Sequence, residues 1–125
     1  KRLITGNAAE NYFKNIYQTI PIFQELEIEN TTQLGCGFDF KLTSSSTNSF
    51  YGVEVKGIST NSGNILLTEK EYKVASFLKE NYFLFIVKNF IEKHNHIFYQ
   101  NPILQNLNFK KNEREVTIIS YTTQI

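Results

Sequence analysis

The 125-residue sequence predicts an α/β (α+β) domain, a mixed β-sheet flanked by helices in the order helix, three strands, helix, then two or three strands. Three observations predict it. A stretch near the start repeats its apolar residues with a helical period. Two stretches in the middle alternate with period two on either side of a Ser/Thr loop. A later stretch, apolar at almost every position, follows a helix-start signal.

The first predicted helix covers residues 6–20. Ala8, Ala9, Tyr12, Phe13, Ile16, Tyr17 and Ile20 fall on one stripe. Thr5 is placed to cap it and Pro21 to stop it. Glu10 lies about 105° from the centre of the stripe, on the border of the buried face. Strands are predicted at 22–28, 38–43 and 51–58. In the last two, Phe38, Phe40 and Leu42 are expected to face the same way as Val53 and Val55. Asp39, Lys41, Glu54 and Lys56 then share the other face. Residues 43–49 (Thr-Ser-Ser-Ser-Thr-Asn-Ser) read as the solvated loop closing this hairpin, and Gly35-Cys36-Gly37 supplies backbone freedom ahead of it. Thr68-Glu69-Lys70-Glu71 has the form of a capping box and opens a helix to about residue 81, with Val74, Ala75 and Leu78 inward. Residues 82–90 read as a strand covered on both faces. Residues 96–100 follow as a strand broken by Asn101-Pro102, and residues 115–122 as a last edge strand.

Composition narrows the function classes. The length suits one domain over residues 1–125. Because the chain opens on Lys1, it is expected to be a piece of a longer protein. With 41% apolar and 14% aromatic residues it is neither a disordered tail nor a fibre. No run approaches the ~20 apolar residues of a membrane span, and no signal peptide is visible, so a cytoplasmic location away from membranes is expected. One cysteine, Cys36, excludes an internal disulfide and a multi-cysteine zinc site. Thirteen basic and 12 acidic residues leave a net charge of +1, too balanced to grip nucleic acid by charge alone. Nucleic-acid binding would need a local patch or a neighbouring domain.

The chemistry is concentrated in the hairpin. If Asp39 stands opposite Glu54, their Cβ atoms lie about 4.5–5.5 Å apart. Glu54 and Lys56 share a face at about 6.6 Å. Two carboxylates that close repel each other, and a lysine or a divalent cation must compensate. Mg²⁺ suits two carboxylates, waters and phosphate oxygens. Lys56 is placed to orient a water and offset phosphate charge, and Glu10 to reach the same corner. Elsewhere the plainer readings prevail. Glu71 is a capping carboxylate, Lys70 and Lys73 lie on a solvated helix face, and His94 and His96 belong to a surface turn. Cys36 is a small residue at a tight bend. No phosphate-binding loop of the G-x-x-x-x-G-K-[ST] form occurs.

Five pieces in order carry a family resemblance: Gly6-Asn7-Ala8-Ala9-Glu10, Gly37-Phe38-Asp39-Phe40, Val53-Glu54-Val55-Lys56-Gly57, Leu67-Thr68-Glu69-Lys70-Glu71-Tyr72 with Ala75, and Tyr82-Phe83-Leu84-Phe85-Ile86-Val87. The chain resembles a PD-(D/E)XK nuclease domain, and more narrowly the family named after the C-terminal domain of the plant protein NO VEIN. The likeness covers roughly residues 5–102. It implies a restriction-endonuclease-like core and a Mg²⁺-dependent endonuclease acting on double-stranded DNA, with Mn²⁺ able to substitute. Asp39, Glu54 and the Val55 carbonyl would be the metal ligands, Lys56 the catalytic lysine and Glu10 the additional acid. The expected DNA contacts are Lys41, Ser59, Thr60, Thr68, Lys70 and Lys73. Here Gly57 and Ile58 stand between the lysine and Ser59-Thr60, where the family often has a hydroxyl directly after the lysine. The resemblance also implies a restriction or antiphage setting, a fused or partner recognition, ATPase or helicase module, and possible homodimerisation. The alternatives are an idle nuclease-like fold binding DNA or protein, and an RNA nuclease of the same fold.

Overall fold

A computed structural model describes residues 2–90, 92–104, 107–113 and 119–124, the first four of these as backbone. Five strands form one mixed sheet in sequence order: β1 (Glu27–Asn30), β2 (Phe40–Thr43), β3 (Phe50–Ile58), β4 (Tyr82–Lys88) and β5 (Asn95–Gln100). β3 and β4 run parallel, and the other neighbours are antiparallel. A parallel pair needs a crossover, which contains α2 (Glu69–Leu78). α1 (Arg2–Ile16) packs on the opposite face of the sheet. The architecture is the α+β sheet flanked by helices that the sequence predicts, compatible with a restriction-endonuclease-like core.

The α1 face holds the larger core. Ala9, Phe13 and Tyr17 of the predicted stripe pack on Phe40, Leu42, Val53, Val55, Phe83 and Phe85. Phe13 sits amid rings, its centroid 4.8 Å from that of Phe85 and 5.4 Å from that of Phe40. β4 is buried on both faces until Lys88, as its unbroken apolar run requires.

Several boundaries differ from expectation. α1 begins at Arg2, so Thr5 lies inside it rather than capping it. It gives way at Tyr17 to a 3₁₀ turn, and Ile20 is extended (φ −94°, ψ 119°) because the ring of Pro21 excludes a helical residue before it. A second 3₁₀ turn, Pro21–Phe23, turns Phe23 into the core, and the first strand therefore starts at Glu27 instead of residue 22. The edge strand expected at 115–122 lies partly outside the described residues, and 119–122 form no strand.

Phe38 also departs from the simple alternation. The chain joins β2 only at Phe40, because Gly37 adopts φ 91° and swings the preceding residues out of strand geometry. Phe38 thus faces α2, with Ala75 and Tyr82. Its ring covers Gly52 so closely that a Cβ there would come within 2.8 Å. At Gly37 an added Cβ would meet Val74 at 2.6 Å, in a backbone conformation that already disfavours a side chain. Gly37→Ala is therefore expected to cost about 2 kcal/mol or more. A thermal melt should show a fall of roughly 10 °C, whereas an unchanged midpoint would mean that this loop yields freely.

Candidate active site

Gly37 and Phe38 are pinned where they lead into Asp39. The buried Tyr82 hydroxyl donates to the Gly37 carbonyl at 2.8 Å, and the Thr31 hydroxyl donates to that of Phe38 at 2.8 Å. Burial holds the Tyr82 phenol well above its ordinary range, so it remains a donor.

β2 meets β3 with Phe40 opposite Val53, and the regular register ends there. The Asp39 N–H donates to the Val53 carbonyl at 2.9 Å. One step further along β3 the partner backbone has gone, and the Asp39 carboxylate takes its place, accepting the Val55 N–H at 2.8 Å. The N–H and C=O of one strand residue point to the same side, so the Val55 carbonyl faces the gap that Asp39 occupies.

Glu54 and Lys56 project from the α2 face of β3. Glu54 is buried, at 4% exposure. The Lys56 ammonium lies 3.1 Å from Glu54 Oε2 and 3.0 Å from Glu71 Oε1. That same Glu71 oxygen accepts the Thr68 N–H at 3.0 Å, while the Glu71 N–H donates to the Thr68 hydroxyl at 3.1 Å. The predicted capping box is thus present, and its carboxylate also holds the lysine.

Asp39, Glu54, Val55 and Lys56 line an open cleft of about 440 Å³, with Glu10 from α1 on its wall. A second recess of about 240 Å³ shares Asp39 and Glu54 and is lined by Lys70, Thr68 and Glu71 beside the loop through Gly37. The acidic charge is poorly solvated. Burial, with Asp39 nearby, pushes the Glu54 carboxyl up to about 9, against the pull of Lys56. Burial likewise raises Asp39 to about 6, against the Val55 N–H and with Glu10 adding to the rise. Burial also raises Glu10. For Lys56, burial acts to lower the pKa, but Glu54 and Glu71 outweigh it and hold the ammonium above its usual value.

Of the sequence-predicted residues, the structure brings together Glu10, Asp39, Glu54, Val55 and Lys56 in one cleft and puts Thr68 and Lys70 in the adjoining recess. Lys41 lies 4.9 Å over the Phe50 ring. Ser59 and Thr60 are exposed beyond the end of β3, where the Thr60 hydroxyl donates to the Ser62 carbonyl. Lys73 is exposed, 3.5 Å from Glu69. These four line neither recess. Lys70 is exposed on α2, as expected of a solvated helix face. The surface turn read at His94 and His96 needs correction. His96 belongs to β5, stacks on Phe85 at 4.9 Å and is hydrogen-bonded to the Tyr12 hydroxyl at 2.8 Å, because its pairing opposite Val87 puts it on the α1 face of the sheet. Cys36 is half-buried among the α2-face residues, in keeping with its reading as a small residue at a bend. Glu71 is the residue for which the sequence favours a capping role over a place in the site, since capping alone explains its spacing, and it serves both. The signal was topological: a helix crossing between parallel strands starts near the C-terminal end of the first strand, here beside Lys56.

Among the described residues, no three His, Cys, Asp or Glu side chains are grouped so as to hold a metal ion by themselves. Two carboxylates and a carbonyl are nevertheless an all-oxygen donor set suited to a hard cation that keeps several waters. Burial, the main cause of the rise in both carboxyls, resists their ionised forms, and a divalent cation between them would favour those forms. The residues present therefore fit Mg²⁺ or Mn²⁺. No described helix is long and apolar enough to cross a membrane. A family model described as "Protein NO VEIN, C-terminal" matches residues 9–100, a span that includes Glu10 and α2 and ends with β5. Neither the curated proteins nor the solved structures give a match.

Proposed function

We infer that this chain, which belongs to the NO VEIN C-terminal family, is a metal-dependent endonuclease module of PD-(D/E)XK type that hydrolyses DNA phosphodiester bonds. One observation carries the reading: Asp39, Glu54, the Val55 carbonyl and Lys56 converge where β2 leaves β3, with Glu10 on the wall of the same cleft. Asp39, Glu54 and the Val55 carbonyl are the groups that would hold Mg²⁺ or Mn²⁺. Such an ion, when bound, polarises a phosphodiester and lowers the pKa of a coordinated water.

The chain's own residues supply the rest. Lys56, kept cationic by two carboxylates, is a donor and not a base. It orients the attacking water and offsets charge growing on the phosphate oxygens. As the water's oxygen bonds to phosphorus and the bond to the leaving sugar oxygen breaks, the water's proton needs another acceptor. Glu10 in the same cleft, its carboxyl raised by burial, is suited to take it. Target choice belongs to another module or subunit, since a net charge of +1 gives little long-range grip on DNA. A restriction or antiphage assembly in the cytoplasm is the setting this reading fits.

The test is nicking of supercoiled plasmid in Mg²⁺ or Mn²⁺, beside Lys56→Ala and a chelator control. Cleavage should vanish with chelator and fall at least 100-fold in Lys56→Ala, which should still show a Mg²⁺-dependent shift in melting temperature. Equal cleavage by wild type and Lys56→Ala would remove the assignment. A Mg²⁺-dependent thermal shift with no cleavage, in this chain and in its full-length parent alike, would favour a binding module on a nuclease-like fold.

A further inference from the structure

We propose that Glu71 is the positioning residue for Lys56, so that the first turn of α2 sets where the lysine's ammonium stands. The proposal rests on the endonuclease reading and adds a residue to it. A lysine ammonium rides on a flexible four-carbon stem and makes no planar fork that would orient it. Here it is held from two elements, by Glu54 of its own strand at 3.1 Å and by Glu71 of α2 at 3.0 Å. The Glu54 carboxylate belongs to the oxygen donor set, where a cation competes with the lysine for it. Glu71 stands outside that set and faces no such competition.

Glu71 is also the better fixed of the two. Its backbone N–H is bonded to the Thr68 hydroxyl, and its Oε1 accepts from the Thr68 N–H and from Lys56. The capping box therefore locks this carboxylate's rotamer before any substrate arrives. Such fixed orientation of a reacting group is worth large rate factors. The Thr68–Glu71 turn also lines the recess beyond Glu54 that holds Lys70.

Glu71→Gln separates the two duties. Its amide oxygen still accepts the Thr68 N–H, so α2 keeps its cap, while the charge that holds Lys56 is gone. Plasmid cleavage by wild type, Glu71→Gln, Lys56→Ala and the double variant forms a cycle. Glu71→Gln is expected to lower kcat about 10–100-fold with KM within about twofold, and to do nothing further when Lys56 is already Ala. The same loss on both backgrounds, or a rise in KM alone, would overturn the proposal. A second measurement needs no activity: the ¹H–¹⁵N signal of the Lys56 ammonium in the metal-free protein. Slow exchange in wild type, lost in Glu71→Gln while the α2 amide signals stay in place, supports positioning. An unchanged ammonium signal refutes it even where cleavage is robust. Loss of the signal from a protein that never cleaves leaves the positioning standing and removes the nuclease reading instead.

Discussion

Glu54→Gln is expected to raise the melting temperature of the metal-free protein at pH 8 and to abolish its response to Mg²⁺. Glu54 is buried beside Asp39, and its carboxyl is pushed up to about 9 from an ordinary 4.5. A carboxylate raised by folding contributes its full stability below the unfolded value and loses it as pH climbs towards the folded one. Each such group costs at most about 1.4 kcal/mol per pH unit across that window. Glutamine keeps the shape and has no proton to lose, so at pH 8 the gain should be on the order of 3 kcal/mol, or roughly 10 °C. At pH 4.5 the difference should nearly disappear. The ion pair between Lys56 and Glu71 remains in the variant, so the lysine is not stranded. Calorimetry of both proteins from pH 4.5 to 8.5, with and without Mg²⁺, measures this. A variant that melts lower than wild type at pH 8 would show that ionised Glu54 is a net stabiliser, and the account of the site's buried charge would be wrong.

The second large effect is the mirror image. Lys56→Ala removes the cation that Glu54 and Glu71 share. Three carboxylates, Asp39, Glu54 and Glu71, are then left around the inner recess. Breaking a largely buried charge cluster from one side costs about 3–5 kcal/mol when the remaining charges stay ionised. Here Glu71 is partly exposed, so the lower end of that range is expected at pH 8. Glu54, at about 9, is mostly protonated at both pH 8 and pH 5, but Asp39, at about 6, is ionised at pH 8 and mostly protonated near pH 5, so the loss should shrink there. Mg²⁺ should restore much of the stability at pH 8, and with a larger shift than in wild type, since the cation then replaces a missing charge. Thermal melts of Lys56→Ala at the two pH values settle this. A loss independent of pH would mean that the lysine's aliphatic stem, and not its charge, supports this corner.

Much of this site is legible because strand geometry is so regular. Once residues 38–43 and 51–58 are read as paired strands, the period of two puts Glu54 and Lys56 together, and closure through the Ser/Thr loop brings Asp39 to the same stretch of β3, with its N–H on the Val53 carbonyl. The helical stripe from Ala9 to Tyr17 likewise names most of the α1 side of the core, and places Glu10 at its border. The capping box names the start of α2 to the residue. These are local patterns, in which a few neighbouring side chains decide the backbone.

Where local and long-range preferences compete, the sequence alone misleads. Phe38 alternates correctly with Phe40, yet Gly37 turns the chain and Phe38 packs on Gly52 under α2. Ile22 and Phe23 look like strand residues, but Pro21 opens a 3₁₀ turn that buries Phe23 against Phe13 and Phe83. His96 is read with a surface turn, but pairing of β5 with β4 sets it against the Tyr12 hydroxyl, 84 residues away in sequence.

By itself, then, the sequence determined the order of helices and strands, the Asp39–Glu54–Lys56 constellation and the cap of α2, because periodicity and capping act over a few residues. Only the tertiary structure decided three further things. Asp39 stands in for a missing backbone acceptor on Val55, because β2 diverges there. Glu54 becomes a buried carboxyl whose charge is resisted, because α2 and the Gly37 loop close over it. Glu71 serves the lysine as well as the cap, because the crossover between parallel strands sets the first turn of α2 beside the far end of β3.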